Sequence, residues 1–324
     1  MFKKLCNGHI LSESEAYTLF LDLASNNLSE FQISTMIGIY QTRHISVSEL
    51  AGFKNALLEK CIPLHLEKKG IDVCGTGGDK KNTFNISTIS AFVLAASGIP
   101  VTKHGNFGAS SISGSSDILK YFGHEFKTNE SGLNSDLDQH NICFIHAPLF
   151  HPGLQKAGTV RKNLKLASFF NLLGPLVNPA QPAYRYIGTF NCKVARMYNY
   201  ILQDSSIHYT IVHSVDGYDE ISLTGESKIY MNLGETLLDH SDFGFRKLNS
   251  QELHAGHSLD SASNIFLNVL QNKATIAQKN VVLANSALAY RCYHPALSIQ
   301  ECLEIVNESI ESQKAYHLFK KIIQ

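Results

Sequence analysis

Short apolar segments alternate with helical segments through the middle of this 324-residue chain. The candidate strands lie at residues 71–74, 99–103, 142–145 and 208–213. Helices are predicted to begin near residues 85 and 115 and to cover about 153–166, 193–203, 261–271, 278–291 and 298–312. Because strands that alternate with helices normally form βαβ units, this order predicts an α/β fold with a mostly parallel sheet.

The first 67 residues contain no good candidate strand. They contain three helix-start signatures instead, in which a serine precedes a glutamate or glutamine by three residues: Ser12 and Glu15, Ser29 and Gln32, Ser46 and Glu49. Apolar residues follow each start at helical spacing. The segment is therefore predicted to be a small helical unit. Its apolar stripes exceed what three short helices need, so part of them should meet the rest of the chain or a second subunit.

Composition argues against several classes of protein. Lys+Arg and Asp+Glu both number 28, so the formal charge is zero and a general nucleic-acid or membrane-surface binder is not expected. Seven scattered cysteines without a CxxC pair suit a reducing compartment, and we expect a cytoplasmic protein. The most apolar stretch, residues 86–101, is too short and too broken to be a membrane span, and no signal peptide is expected at the N-terminus.

A glycine-rich loop, Gly75-Thr-Gly-Gly-Asp79, follows the first strand and precedes a helix. Glycines let the backbone approach a ligand, and the helix start adds a field that favours anions. The loop is neither a P-loop nor a G-x-G-x-x-G fingerprint. A turn without a ligand is, for this loop alone, an equally good interpretation.

Two more polar segments follow along the chain. Asn85-Ile-Ser-Thr88 lies at the next helix start, and Lys103-His-Gly-Asn106 leaves the next strand, with serines at 110, 111, 113, 115 and 116 after it. Polar loops at successive strand ends are how an α/β sheet holds a phosphorylated ligand. We therefore favour a phosphate site over a merely solvated serine-rich loop.

An acidic pair and one arginine complete the candidates from the residues alone. Asp219 and Glu220 follow the strand that ends at His213. They are either a solvated surface pair or ligands of Mg²⁺, which takes one or two carboxylates plus phosphates and water. Because the chain also contains a candidate phosphate-binding loop, we favour the interpretation as Mg²⁺ ligands. Arg161 is either a carboxylate clamp or half of a helix-surface salt bridge, and the sequence does not separate these.

With these segments, the chain resembles the anthranilate phosphoribosyltransferases. Lys103-His-Gly-Asn106 and Phe170-Asn-Leu-Leu-Gly-Pro-Leu-Val-Asn-Pro179 are the more specific motifs. The others are Gly75–Asp79, Asn85–Thr88, Ser113–Asp117, His146–His151 and Asp216–Ser222. The resemblance covers nearly the whole chain. It implies a nucleoside phosphorylase/phosphoribosyltransferase-like fold, with a small all-helical domain at residues 1–67, joined by helices from about 153–180, and a larger α/β domain at 70–324.

The resemblance also implies an activity, which is transfer of phosphoribosyl from 5-phosphoribosyl diphosphate (PRPP) to the anthranilate amine, with release of pyrophosphate, in tryptophan biosynthesis. It implies Mg²⁺, two ions per subunit, bound by Ser87, Asp219 and Glu220, and a homodimer formed through the helical domain. Anthranilate would contact Gly75, Asn106, His151 and Arg161. PRPP would be bound by Gly75, Gly78, Asp79, Thr83, Asn85, Ile86, Ser87, Thr88, Lys103, His104, Gly105, Asn106, Ser110, Ser111 and Ser115. No residue is expected to act as an essential nucleophile.

The sequence departs from the family pattern at positions that usually carry a cation. These positions hold Phe107, Ile112 and Ala167. Three alternatives remain: a transferase acting on another aromatic substrate, a relative of the pyrimidine-nucleoside phosphorylases, or a non-catalytic binding protein. The phosphorylase pattern Lys-x-Ser-x-Arg is absent, since Lys103-His-Gly-Asn-Phe107 stands in its place.

Overall fold

The computed structural model describes residues 1–108 and 112–323. The chain forms two compact units, one made of Met1–His65 with His146–Gln181 and the other of Leu66–Ile145 with Pro182–Gln324. The helices are α1 (Phe2–Cys6), α2 (Glu13–Ala24), α3 (Glu30–Thr42), α4 (Val47–Lys60), α5 (Ile86–Ala96), α6 (Ser115–Tyr121), α7 (Glu130–His140), α8 (Ala147–Phe150), α9 (Gln155–Leu164), α10 (Cys192–Leu202), α11 (Leu259–Leu270), α12 (Ile276–Tyr293), α13 (Ile299–Glu311) and α14 (Lys314–Ile323).

The strands are β1 (Ile71–Gly75), β2 (Val101–Gly105), β3 (Ile142–His146), β4 (Tyr184–Gly188), β5 (His208–Ser214), β6 (Ser227–Met231) and β7 (Gly234–Leu238). Short 3₁₀ turns cover Pro152–Leu154, Phe169–Leu172, Gly174–Leu176, His240–Phe243 and Ser250–Leu253. Among the helices in the described parts of the chain, none has the length and apolar character needed to cross a bilayer.

The first unit is helical, and its helices begin where the sequence predicts. The Ser12, Ser29 and Ser46 hydroxyls each accept a hydrogen bond from the backbone N–H three residues on, and the residue at that position bonds back to the serine N–H. All three predicted capping boxes are therefore confirmed. The five-residue helix α1 was not predicted because it is too short to show a helical period.

Aromatic side chains fill the core of the first unit. The rings of Phe169 and Phe170 stack with centroids 4.4 Å apart, and Phe20 lies 4.7 Å from Phe53 and 5.9 Å from Phe170. Phe169 and Phe170 belong to the segment that returns to this unit after the β3 strand. This segment therefore buries part of the apolar surface of the N-terminal helices, as their excess apolar stripes predict.

A seven-stranded sheet organises the second unit, in the order β3-β2-β1-β4-β5-β6-β7. β1 is parallel to β2 and β4, and β4 is parallel to β5, whereas β6 and β7 are antiparallel. The predicted α/β class with a mostly parallel sheet is confirmed. The order of strands reverses between β1 and β4. In open α/β sheets, ligands bind outside the carboxyl ends of the strands at such a switch point.

Candidate functional site

The loop after β1 has the backbone that an anion site requires. Gly77 and Gly78 adopt φ angles of +61° and +80°, in the left-handed region that favours glycine, and Lys80 and Asn82 follow at +59° and +52°. A run of such residues turns successive amides toward one concave side. One of these amides is already used, because the Gly77 N–H donates to Asp219 Oδ2 at 2.7 Å.

Two glycines at the switch point allow Asp219 to lie against the sheet. Gly75 at the end of β1 and Gly188 at the end of β4 are register partners. A Cβ added at Gly188 would lie 1.6 Å from the Asp219 carbonyl oxygen, and one at Gly75 would lie 2.4 Å from Asp219 Oδ2. The Asp219 backbone leaves no room for a side chain at position 188, and a side chain at position 75 would displace the Asp219 carboxyl group. The sequence predicted Gly75 but not Gly188, because β4 was not predicted as a strand.

Three carboxyl groups converge beside this loop. Burial, followed by the nearby Asp79 charge, raises the pKa of Asp219 to about 7. Burial and then the charges of Asp219 and Asp79 raise the pKa of Glu220 well above its usual value. Asp79 Oδ2 is buried and has no hydrogen-bond partner among the described residues. The buried carboxyl groups therefore repel one another, and the Lys103 charge opposes this only for Glu220, which a solvated surface pair would not show.

The cluster fits a magnesium ion better than a structural metal. In the described ranges no group of three or more His, Cys, Asp or Glu side chains is arranged to hold a metal by itself. Mg²⁺ does not need such a cage, because it keeps waters and takes one or two carboxylates together with substrate phosphates. A bound divalent cation would neutralise the unpartnered Asp79 oxygen and the mutually repelling carboxyls of Asp219 and Glu220.

The start of α5 is tied to both neighbouring loops. The Ser87 N–H donates to Glu220 Oε1 at 2.9 Å, so the predicted metal ligands Ser87 and Glu220 are brought together. The Asn85 amide oxygen accepts from the Ser113 hydroxyl at 2.8 Å, and the Asn85 side chain makes no capping hydrogen bond to α5. This side chain therefore connects the helix start to the loop that contains Ser113. Ile86 and Thr88 are buried.

The loop that leaves β2 is held at both ends by Asp117. Its Oδ2 accepts from the Gly108 N–H at 2.7 Å and from the Gly114 N–H at 2.8 Å. The Asn106 carbonyl accepts from the Ser116 N–H at 3.2 Å, which keeps the helix start next to the strand end. Gly105 lets the Ser115 hydroxyl lie against the strand end, since a Cβ at this position would lie 2.2 Å from that hydroxyl and would displace it. The predicted ligands Ser110 and Ser111 lie outside the described residues.

Lys103 has a different environment from the one that a phosphate clamp suggests. Its side chain is buried, and the Nζ atom donates to the Val73 carbonyl of β1. Burial lowers the pKa of Lys103, while Asp72 opposes this. Asp72 and Arg185 are also buried, and neither is predicted from the sequence as a site residue. A charged residue inside an otherwise apolar candidate strand, Ile71-Asp-Val-Cys74, was the signal that could have found Asp72.

Two predicted residues of this unit remain, His104 and Thr83. His104 is buried, and its backbone N–H donates to Asp72 Oδ1 at 3.1 Å. Thr83 follows the glycine-rich loop. It forms an isolated antiparallel bridge with His254, and the Asn82 side chain donates to the Gly256 carbonyl at 3.0 Å. The segment around His254 therefore supports the glycine-rich loop from one side. No signal in the sequence relates these two segments, which lie about 170 residues apart.

The first unit contains the other two candidates, His151 and Arg161. His151 is buried, and its Nε2 atom lies 3.0 Å from the Val177 carbonyl. Arg161 is half-buried on α9, and its Nη2 donates to Asn171 Oδ1 at 3.0 Å. Burial lowers the pKa of Arg161, and no Asp or Glu within the described ranges forms a salt bridge with it. The interpretation of Arg161 as half of a surface salt bridge is therefore wrong.

Comparisons with known proteins agree with this architecture. The profile of the "Glycosyl transferase family, helical bundle domain" matches residues 1–61, and that of the "Glycosyl transferase family, a/b domain" matches residues 67–316. A protein of Christiangramia forsetii named anthranilate phosphoribosyltransferase is 44% identical over 99% of this chain and 97% of its own length. One of the same name from Cytophaga hutchinsonii is 43% identical over 100% and 99%. The chain belongs to the anthranilate phosphoribosyltransferases.

Solved anthranilate phosphoribosyltransferases share the fold. The crystal structure of the Thermus thermophilus protein has a TM-score of 0.89 and 27% identity, covering 99% of this chain and 98% of that one. The Saccharomyces cerevisiae protein, in complex with PRPP and Mg, has a TM-score of 0.89 and 25% identity, covering 99% and 95%. The resemblance drawn from the sequence motifs is therefore confirmed.

Within this family, two departures in the present chain lie on the loop after β2. Phe107 is 42% exposed, and Ile112 is half-buried. The Lys120 Nζ atom lies 5.9 Å from the centroid of the Phe107 ring. One cation is therefore already close to the position where the family pattern usually has an arginine.

Proposed function

We propose that this chain transfers the phosphoribosyl group of PRPP to the amine of anthranilate and releases pyrophosphate, as a step of tryptophan biosynthesis. The observation that carries the proposal is the convergence of an amide-lined loop and three carboxyl groups, Asp79, Asp219 and Glu220, at the switch point between β1 and β4. An anion loop beside an acidic cluster suits a substrate that is itself both a polyanion and a metal ligand.

PRPP is proposed to lie along the carboxyl ends of β1 and β2. The diphosphate would contact the loop of Gly75, Gly78 and Asp79, and the rest of the substrate would meet the start of α5 and the loop after β2. The supporting geometry is that Asn85 ties the helix start to Ser113, so both elements border one site. Lys103 on β2 and Ile86 and Thr88 on α5 are buried. The full proposed set is Gly75, Gly78, Asp79, Thr83, Asn85, Ile86, Ser87, Thr88, Lys103, His104, Gly105, Asn106, Ser110, Ser111 and Ser115.

Magnesium is proposed to be held by Asp219, Glu220 and Ser87, with two ions per subunit. When bound, Mg²⁺ neutralises negative charge on the diphosphate and so favours its departure. Asp219 and Glu220 are fixed for this task by hydrogen bonds from the Gly77 and Ser87 amides. The buried setting makes two neighbouring carboxylates unfavourable, and this strengthens the attraction for a divalent cation.

The chain's own contribution to the chemistry is mainly positioning. Departure of the diphosphate develops negative charge on the leaving group, which the loop amides and the α5 N-terminus stabilise. The aromatic amine of anthranilate is neutral at pH 7 and needs no strong base. Bringing amine and anomeric carbon together can therefore supply most of the acceleration, and no nucleophilic side chain is required.

Anthranilate is proposed to contact Gly75, Asn106, His151 and Arg161. Arg161 offers the only feature in this set that suits a carboxylate, because its guanidinium is half-buried without an acidic partner in the described residues. His151 supports the proposal less directly, since its Nε2 atom faces the Val177 carbonyl. An acceptor that carries both an amine and a carboxylate is what this set would recognise.

The direct test mixes the protein with Mg²⁺, PRPP and anthranilate and follows the loss of anthranilate fluorescence. We expect a loss that needs all three additions and that releases one pyrophosphate per anthranilate consumed. Parallel reactions with uridine or thymidine and inorganic phosphate test the phosphorylase alternative. Nucleoside cleavage without anthranilate consumption would contradict the proposal, and so would activity toward a different aromatic acceptor only.

A homodimer and a cytoplasmic location are part of the same proposal. The first unit exposes large apolar side chains, including Phe31 at 86% and Ile10 at 62%, which a second subunit would cover. All seven cysteines are free, as expected in a reducing compartment. Light scattering measures the mass in solution, and a monomer at micromolar concentration would contradict the dimer.

Replacing Phe107 with Arg and Ile112 with Lys is expected to tighten PRPP binding. A cation about 4 Å from a phosphate oxygen contributes about 4 kcal/mol of Coulomb attraction at an effective dielectric near 20, most of which desolvation and side-chain ordering cancel. Because Lys120 already lies near Phe107, we expect the Michaelis constant for PRPP to fall about threefold to tenfold. The Mg²⁺ concentration needed for half-maximal rate should fall with it.

A charge-matched control separates a local effect from a change in net charge. Leu233 and Ile276 are 97% and 74% exposed and lie in other parts of the second unit. Leu233→Arg with Ile276→Lys adds the same two charges and should leave the Michaelis constants unchanged. Equal effects of the two double variants would show that these family departures do not weaken the site.

A further inference from the structure

Arg161 is held in place by two neutral side chains. Its Nη2 atom donates to Asn171 Oδ1 at 3.0 Å, and its Cζ atom lies 5.3 Å from the centroid of the Phe170 ring. The Phe170 ring is itself fixed, because it is buried and stacks on Phe169. The backbone N–H of Asn171 donates to the Ser168 carbonyl at 2.9 Å, which fixes the turn that presents the Asn171 side chain.

Arg43, in the same unit, shows how an arginine is held when its role is structural. Its Nη2 and Nη1 atoms donate to the two oxygens of buried Glu49 at 2.6 and 2.9 Å. Hydrogen bonding to Glu49 raises the pKa of Arg43, whereas burial lowers that of Arg161. Arg43 therefore has a compensated charge, and Arg161 retains a positive charge that nothing in the described parts of the chain neutralises.

The identity of the partner explains this difference. A guanidinium has five N–H donors, and only one atom, Nη2, bonds to Asn171. An amide oxygen accepts this hydrogen bond and fixes the plane of the group without cancelling its charge. A carboxylate at the same position would hold the group equally well, but it would also form an internal ion pair and compete with any anionic ligand.

We infer that Asn171 is a positioning residue for acceptor recognition, which orients Arg161 through a neutral hydrogen bond and so keeps its positive charge available for the carboxylate of the acceptor. The inference rests on the proposed function, because it requires an acceptor that carries a carboxylate. It explains why a half-buried arginine is surrounded by an amide and an aromatic ring and not by an acid. The Asn171 amide nitrogen makes no hydrogen bond to the described residues, so Asp is a nearly isosteric replacement.

The test compares Asn171→Asp with Asn171→Ala by steady-state kinetics with both substrates. If Asn171 acts by leaving the charge of Arg161 uncompensated, Asp at position 171 should weaken anthranilate binding more than Ala does. The Michaelis constant for anthranilate should rise about tenfold or more in Asn171→Asp and about threefold in Asn171→Ala. The constant for PRPP and kcat at saturating anthranilate should stay within about twofold, because a high concentration of acceptor displaces the internal carboxylate.

Asn163→Asp is the matched control. Asn163 lies on the same helix, α9, as Arg161 but is exposed, so this variant adds the same charge without reaching a desolvated site. It should leave the Michaelis constant for anthranilate unchanged. If Asn163→Asp raises it as much as Asn171→Asp does, the effect is general electrostatics and the inference is wrong.

A smaller rise in the Michaelis constant for anthranilate in Asn171→Asp than in Asn171→Ala also overturns the inference. A purely structural Asn171 would make the isosteric Asp the milder change, and Ala would lower the melting temperature and kcat together. If Asn171→Asp does not fold, Asn171→Ala still tests the inference. A rise in the Michaelis constant for anthranilate alone supports a positioning role. A loss of kcat together with weaker binding of both substrates contradicts it. Absence of anthranilate consumption by the wild-type protein would instead contradict the proposed function.

Discussion

Replacing Asp219 with Asn and Glu220 with Gln is expected to reduce the Mg²⁺-dependent rate about a hundredfold or more. Metal stabilisation of a developing charge contributes several kcal/mol, and each 1.4 kcal/mol corresponds to about a tenfold change in rate. The two amides keep their acceptor oxygens for the Gly77 and Ser87 N–H groups. The loops should therefore keep their positions while the charge is lost.

Thermal unfolding provides the second measurement for this double variant. Burial and repulsion raise the pKa of both groups, so neutral side chains should not destabilise the protein without metal. Adding Mg²⁺ with PRPP should raise the melting temperature of the wild type and leave that of the variant nearly unchanged. Asp216→Asn is the control, because Asp216 is exposed in the same segment and bonds to the Thr224 hydroxyl. Full activity of the double variant at low Mg²⁺ would show that the acidic pair is structural.

Replacing Arg161 with Ala is expected to raise the Michaelis constant for anthranilate about tenfold or more. A hydrogen bond to a charged group contributes about 1.5–3 kcal/mol, and the half-buried position of Arg161 limits competition from water. The constant for PRPP should change little. Steady-state kinetics with each substrate varied in turn measures both values.

Lys162→Ala is the control for the Arg161 variant. Lys162 is the next residue on α9, is exposed, and carries the same charge. Its removal should change neither Michaelis constant by more than about twofold. A rise in the constant for PRPP alone after Arg161→Ala would place this arginine with the other substrate and would also remove the basis for the role of Asn171.

The local features of this chain follow from its sequence because their causes lie within a few residues. A capping box joins positions three apart, so the starts of α2, α3 and α4 could be predicted and are confirmed. The α/β class follows from the order of apolar segments and polar loops. The strands β4, β6 and β7 were not predicted. β4 contains a buried arginine, which interrupts its apolar pattern, and β7 is a half-exposed edge strand with little alternation.

Contacts between distant segments were decided only by the tertiary structure. The sequence supplies an aspartate in the glycine-rich loop and an acidic pair 140 residues later, but only the strand order brings Asp79 beside Asp219. The need for Gly188 arises from the approach of another backbone, which no local pattern reports. Burial likewise directs Lys103 toward the Val73 carbonyl and leaves Arg161 with a neutral partner. The sequence thus determined the local backbone conformation and which charged and polar side chains the site can use. The tertiary structure determined which of these charges are compensated, because compensation depends on burial and on neighbours that are distant along the chain.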